Sequence, residues 1–216
     1  MFIDIHTHNP DYEENVIKII NIFNETQLIN ENFQYVSIGL HPWNIKNDNS
    51  EHLQYIKKTS LLKQVFAIGE AGLDRAVDID YKLQKDIFIA QAHIAQNTSK
   101  PMIIHAVRSY YDIISNRKLF AVAPPWIIHG FNANEKTAIE LVKHNFYLSF
   151  GKSLHNKKTE FQILFNKIPP SCILFETDDS GASILSIYEK ASQLLKIPLD
   201  KLKLLIYRNF QKLLFL

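Results

Sequence analysis

The sequence predicts an α/β fold built on a parallel β-sheet. Three observations predict it. Short apolar runs, many of them rich in β-branched or aromatic residues, recur along the 216 residues. Longer segments with apolar residues at near-helical spacing separate them. Five of the short runs end in a histidine or a carboxylate, the arrangement expected when strand C-termini share one rim.

The first run is Phe2–Ile5. Val16–Phe23 fits a helix by its spacing and a strand by its β-branched content, and is read as a strand. Tyr35–Leu40, Val65–Ile68, Met102–Ile104, Trp126–Ile128, Phe146–Phe150 and Cys172–Phe175 follow, bounded by Gly, Pro or polar residues. Continuous apolar runs of this length are how strands buried on both faces read. Between them, Glu51–Gln64, Asp80–Gln96, Glu135–His144, Thr159–Lys167, Ser183–Leu195 and Asp200–Leu214 read as helices, the first with Ser50 as its cap. Repeated strand–helix units imply a parallel sheet, and the pattern fits a closed barrel and an open doubly wound sheet alike. A full barrel needs two helices and a strand between the first run and Tyr35. Only Asn9–Gln34 is there, and each crossover takes about 10–12 residues. One βα unit near the N-terminus is therefore expected to be truncated. No repeat, low-complexity tract or linker interrupts the pattern, so one domain spanning residues 1–216 is expected.

Composition narrows the class. Hydrophobic residues make up 46% of the chain, as in water-soluble globular proteins. No run approaches the roughly 20 apolar residues that span a bilayer, so no membrane partner is expected. Asp4 and His6 interrupt the N-terminal apolar run, which argues against a signal peptide. The single cysteine, Cys172, excludes an intrachain disulfide and points to a reducing, cytoplasmic setting. It reads as a packed core thiol at a strand start. A formal charge of +2 neither demands nor excludes a nucleic-acid partner.

The chemistry sits at the strand ends. The first strand ends Asp4-Ile5-His6-Thr7-His8, and others end Ile68-Gly69-Glu70, Ile104-His105, Ile128-His129 and Phe175-Glu176-Thr177-Asp178. His6 and His8 are two apart on a strand and share a face. Gly39, Gly69, Gly72, Gly130 and Gly151 lie at or just beyond the same ends, where loops bend sharply or approach a ligand closely. Four imidazoles (His6, His8, His105, His129) and two carboxylates (Glu70, Asp178) are too many for one tetrahedral zinc with an open position. They suit two divalent metals about 3.5–4 Å apart. Mixed nitrogen and oxygen donors admit Zn, Mn or Mg, and the histidine content argues against Ca. His52, His93, His144 and His155 fall in helices or loops and read as structural or solvent-facing. Each ligand alone has a plainer reading: His105 as a hydrogen-bonded core residue, Glu70 or Asp178 as a helix cap. It is their joint placement at strand ends that favours a metal centre.

These residues resemble the TatD family of metal-dependent deoxyribonucleases. The resemblance rests on His6-Thr7-His8, Gly39-Leu40-His41-Pro42, Gly69-Glu70-Ala71-Gly72-Leu73-Asp74, Pro101 through His105, His129-Gly130-Phe131, Glu176-Thr177-Asp178 and Asn209, in order along the whole chain. It implies a distorted TIM barrel of the metal-dependent hydrolase superfamily. It implies metal ligands at His6, His8, Glu70, His105, His129 and Asp178, with Glu70 bridging and Asp178 serving the attacking water. It also implies phosphodiester hydrolysis of DNA from an end, with His41 and Arg108 facing the phosphate. The sequence departs from the family in three places: the His8-to-Gly39 connection is compressed, Arg108 lies three residues past His105 instead of two, and Asp178 runs into Asp179-Ser180-Gly181 with no basic loop. Compact loops and few basic residues (Arg75, Arg108, Lys152, Lys157, Lys158) predict a preference for single-stranded ends or small phosphodiesters over duplex. The alternative is a metal-dependent amidohydrolase or esterase acting on a small carbonyl substrate, because related barrels turn the same centre on carbonyls. Glu70, where many amidohydrolases use a modified lysine, favours the phosphodiesterase. A non-catalytic binding protein is disfavoured by the complete ligand set.

Overall fold

Alternating apolar strands and amphipathic helices build one eight-stranded sheet with its strands in sequence order. The computed structural model describes residues 1–22, 33–120, 124–155 and 159–214. The strands are β1 (Phe2–Thr7), β2 (Val16–Ile22), β3 (Tyr35–Ile38), β4 (Val65–Asp74), β5 (Met102–Val107), β6 (Trp126–Ile128), β7 (Phe146–Phe150) and β8 (Ile173–Phe175). Every neighbouring pair is parallel. The helices are α1 (Ser50–Thr59), α2 (Tyr81–Asn97), α3 (Tyr110–Arg117), α4 (Glu135–Lys143), α5 (Thr159–Lys167), α6 (Ile184–Leu195) and α7 (Leu199–Leu214).

Closure decides between the two topologies left open by the sequence. Thr7 forms a parallel bridge with Asp178. The Asp178 N–H donates to the His6 carbonyl at 3.0 Å, and the His8 N–H to the Asp178 carbonyl at 3.3 Å. The sheet thus curls into a nearly closed, distorted barrel, joined only at its C-terminal rim. Lower down, β8 runs alongside Phe2–Asp4 of β1 without pairing to it. There the buried Tyr188 hydroxyl accepts from the Ile3 N–H at 3.0 Å and donates to its carbonyl at 3.1 Å. Main-chain groups of Ile3 that a β1–β8 ladder would pair are thereby satisfied from α6.

The truncated unit lies between β1 and β2. Residues 8–15 return the chain to the start of β2 with no helix. An extended chain covers about 3.3–3.6 Å per residue, enough to run back along a strand of six residues. The ambiguous Val16–Phe23 run is a strand through Ile22, and Phe23 lies outside the described residues.

Burial explains the apolar runs. All ten residues of β4 are buried, as are all of β6, β7 and β8. Trp126 of β6 packs edge-on against Phe88 of α2 and Phe146 of β7. Each such fully buried large side chain contributes about 1.5–3 kcal/mol.

Several expectations need correction. Asn49, not Ser50, is the N-cap position of α1; its side chain makes no cap hydrogen bond and instead closes a loop onto Lys46. Cys172 closes a 3-10 turn and is half-buried, so it is not a core thiol. β4 does not stop at Ile68; its pairing with β5 shifts register between Ile68 and Ala71, and Glu70 sits inside that irregularity. Helix α3 was not anticipated. It is short, and it buries Ile113, Ile114 and Arg117.

Candidate metal centre

The strand C-termini bring the other five predicted ligands, and the predicted phosphate contact His41, around the Glu70 carboxylate. Glu70 Oε1 lies 2.8 Å from His129 Nε2, 3.2 Å from His105 Nδ1 and 3.3 Å from His41 Nε2. Glu70 Oε2 lies 3.3 Å from His6 Nε2 and 3.9 Å from His8 Nε2. Asp178 Oδ1 sits on the same side, 3.5 Å from His6 Nε2 and 3.3 Å from His8 Nε2. One carboxylate thus divides the cluster: three imidazoles face one oxygen, two imidazoles and a second carboxylate face the other.

Local backbone geometry aims these groups. Asp178 adopts a left-handed conformation, φ 53°, which Asp tolerates better than most residues. Held there by the closing bridge, its side chain turns back toward β1. Gly72 lets β4 pass against β5 at the ligand, since a Cβ there would meet the His105 carbonyl oxygen at 2.0 Å. Two buried glutamines of α2 clasp the main chain beside the site. Gln91 accepts from the Leu40 N–H at 2.7 Å and donates to its carbonyl, fixing the residue before His41. Gln84 does the same to Asp74.

Further carboxylates stand behind the imidazoles, and sequence reasoning gave them no role. Asp74 Oδ2 lies 3.0 Å from His105 Nε2 and also accepts from the Trp43 indole N–H at 2.7 Å. That bond places the His105 proton on Nε2 and its lone pair on Nδ1, toward Glu70. Glu176 Oε1 faces His129 Nδ1 at 3.7 Å and accepts from the Gly130 N–H at 2.5 Å. Asp4 accepts from the Thr177 N–H at 2.9 Å, tying β1 to the loop that carries Asp178. The available signal for Asp74 and Glu176 was their position, inside motifs already singled out for other residues.

His41 differs from the rest. Its Nδ1 accepts from the Trp43 main-chain N–H at 3.1 Å. A neutral imidazole accepting at Nδ1 carries its proton on Nε2, so His41 presents a donor toward Glu70, not a ligand lone pair.

The electrostatics call for positive charge. Burial pushes the Glu70 carboxyl up, but the facing His129 charge and the polar contacts of His105, His129 and His41 together hold it well below the usual range. Asp178 is likewise held down by His6 and His8 against its burial. Burial lowers the His6 imidazole, yet Asp178 and Glu70 outweigh it and raise it to about 9. Burial, with the nearby Glu176 charge, lifts Asp4 to about 7 against its Thr177 bonds. The fully buried His6 Nε2 has no hydrogen-bond partner, although two carboxylates face it. Among the described residues, such nitrogen and oxygen donors within 4.8 Å of one another form three groups: His6, Glu70 and His129; His6, His8 and Asp178; His41, Glu70 and His105. An orphaned imidazole nitrogen among ionised carboxylates fits divalent cations.

The centre opens into a cavity of about 570 Å³ that runs from His105, His129 and Asp178 out to Asn132, Lys152 and His155. His155 is exposed but lines this cavity, so it is closer to the site than its loop position implied. Of the other three histidines set aside above, His93 is exposed, His52 lies on α1 and His144 pairs with Glu140. Of the expected phosphate contacts, Arg108 is exposed and outside the cavity lining. Arg75 pairs with Asp112 at 2.8 Å. Lys152 lines the cavity 3.5 Å from Asp179 Oδ1. Lys157 and Lys158 lie outside the described residues.

A nearly closed parallel barrel with a histidine–carboxylate cluster at its C-terminal rim defines a metal-dependent hydrolase of the TIM-barrel type. The family model described as TatD related DNase matches residues 11–215, and the chain belongs to that family. It is 37% identical over 150 residues to YabD of Bacillus subtilis, an uncharacterized metal-dependent hydrolase. That match covers 68% of this chain and 58% of YabD. An uncharacterized metal-dependent hydrolase of Buchnera aphidicola is 32% identical over 190 residues, 81% of this chain and 70% of the relative. Among solved structures, YJJV, a TatD homologue from Escherichia coli, superposes with a TM-score of 0.86 at 20% identity, covering 98% and 97% of the two chains. An uncharacterized amidohydrolase from Saccharomyces cerevisiae shares the fold at a TM-score of 0.64 and 15% identity, covering 83% and 80%. No helix among the described residues is long and apolar enough to cross a membrane.

Proposed function

We propose that this hydrolase cleaves phosphodiester bonds, acting on DNA ends or small phosphodiesters with two divalent cations held by His6, His8, Glu70, His105, His129 and Asp178. The observation that carries the proposal is the two-sided use of Glu70: each oxygen faces its own set of donors, as a bridging carboxylate requires. Bound divalent cations supply Lewis-acid charge and water of lowered pKa. The chain's own groups do the rest. Asp178 Oδ1 lies on the same side as His6 and His8, which leaves Oδ2 to take the proton of a water attacking phosphorus. Asp74 and Glu176 hold the His105 and His129 rings in orientation. The His41 Nε2–H faces Glu70 Oε1 at 3.3 Å, and a phosphoryl oxygen beside that carboxylate would share it. A reducing, cytoplasmic setting accords with the single cysteine.

The test is a screen of the chain reconstituted with Mn, Zn or Mg on a single-stranded oligonucleotide, the blunt duplex of the same sequence, a small phosphodiester and a panel of amides and carboxylic esters. The proposal expects phosphodiester cleavage, faster on the single strand, with a shallow salt slope matching about two or three phosphate contacts. Cleavage of amides or carboxylic esters alone would move the chain to the carbonyl-directed chemistry that related barrels perform.

A further inference from the structure

Trp43 stands beside the centre, and the chemistry above does not use its ring. It is 62% exposed, yet it is not a loose side chain. Its indole N–H donates to Asp74 Oδ2 at 2.7 Å, the oxygen that also holds His105. Its main-chain N–H donates to His41 Nδ1, within a 3-10 turn spanning Pro42–Asn44. Its ring centroid lies 4.9 Å from that of His41 and 6.0 Å from that of His105, nearly perpendicular to both. The largest apolar side chain type is thus fixed at the edge of the cluster, next to the His41 donor, with much of its surface bare.

A rigid, exposed aromatic ring beside a polar centre is a stacking platform. Its immobilisation is already met within the fold, so a flat partner loses less on binding. A hydrogen bond from the indole N–H to a carboxylate also enriches the ring with electrons, which favours an electron-poor heterocycle on its face. On the phosphodiester reading of the centre, the group attached to a phosphate at His41 is a nucleoside, and the flat part of a nucleoside is its base.

We infer that Trp43 stacks the nucleobase of a nucleotide next to the scissile phosphate, making the enzyme selective for unpaired bases. This inference rests on the proposed phosphodiesterase function for its substrate class. Stacking on an aromatic face requires a base free of its duplex neighbours, and is tolerant of base identity. It therefore gives a structural reason for acting on single strands and frayed ends that does not depend on a basic surface.

Two measurements test it, and they fail separately from the proposed function. The chain has two tryptophans, and Trp126 is 1% exposed in the core, so a ligand at the rim reaches Trp43 emission only. With the Mg-loaded protein, dAMP is expected to quench tryptophan fluorescence and deoxyribose 5-phosphate is not. Trp43→Ala should abolish the dAMP effect. The second measurement compares kcat/KM for a single-stranded oligonucleotide with that for the same strand made abasic at its terminal two nucleotides. Trp43→Ala should lower the ratio of intact to abasic substrate by about 5- to 150-fold, and Trp43→Phe should preserve most of it. A ratio unchanged by Trp43→Ala, or no quenching by dAMP, overturns the inference whatever the enzyme cleaves. Quenching that requires Trp43, in a protein that cleaves no phosphodiester, would support the stacking site while removing the proposed reaction.

Discussion

Replacing Asp74 with Asn should weaken metal binding through His105 without touching a ligand. The Asp74 carboxylate accepts three N–H groups: Trp43 Nε1 at 2.7 Å and His105 Nε2 at 3.0 Å on Oδ2, and Ala76 N at 2.7 Å on Oδ1. Asparagine offers one oxygen where three donors converge. With its amide group toward Ala76, two donors face each other and one is left unsatisfied, costing about 1–3 kcal/mol of stability. With the amide group toward His105, the imidazole must accept at Nε2 and carry its proton on Nδ1. That nitrogen, 3.2 Å from Glu70 Oε1, then has no lone pair for a cation. Both arrangements also replace a negative partner with a neutral one, making His105 less basic. Loss of such a supporting carboxylate costs about 10- to 100-fold in metal affinity. Competition for zinc against a chromophoric chelator reads that affinity directly, with circular dichroism to verify folding and thermal melting to read the stability cost. A folded Asp74→Asn protein that binds zinc as tightly as the parent would refute the tautomer argument.

Glu70→Gln and Asp178→Asn should each lower turnover by at least about a hundredfold, as losses of central catalytic groups do. His93→Gln, on an exposed position of α2, should leave turnover nearly unchanged; normal turnover in either carboxylate variant would place that residue outside the chemistry. Asp112 accepts from Arg75 and Tyr81 and pairs with Lys85; these partners outweigh its burial and hold its carboxyl down at about 2. Its contribution is therefore present above the ordinary carboxylate value near 4 and lost as the pH falls through about 2. Melting curves of Asp112→Asn should lie below the parent at pH 7 and approach it at pH 3, and a gap independent of pH would contradict this. Gly72→Ala forces a Cβ against the His105 main chain and should cost at least about 1–3 kcal/mol; an unchanged urea midpoint would show that β4 and β5 can part without penalty.

The strands and most helices were legible because burial leaves local marks: uninterrupted apolar runs for β6 and β8, and helical spacing for α2 and α4. The centre was legible for a related reason. His6, His8, Glu70, His105, His129 and Asp178 each lie within three residues of the end of such a run, and strand order carries them to one rim. What stayed hidden depends on partners far away in sequence. Nothing near Asp74 announces that it orients His105, thirty-one positions on. Gln91 clasps Leu40 across fifty-one positions, and Tyr188 serves Ile3 across the barrel seam. Trp43 is invisible for a different reason: a tryptophan beside Pro reads as core or turn until its exposure is known. Arg108 was chosen by its nearness to His105 in the chain, but its positive φ and exposure carry it away from the cavity lining.

The central claim is that Glu70 divides its donors between two cations. Equilibrium dialysis of the folded, chelator-stripped chain against Zn or Mn, followed by elemental analysis, tests it most directly. About two ions per chain are expected in the parent. A folded chain that takes up none would contradict the reading of the centre, and one that saturates at a single ion would contradict the bridging role of Glu70.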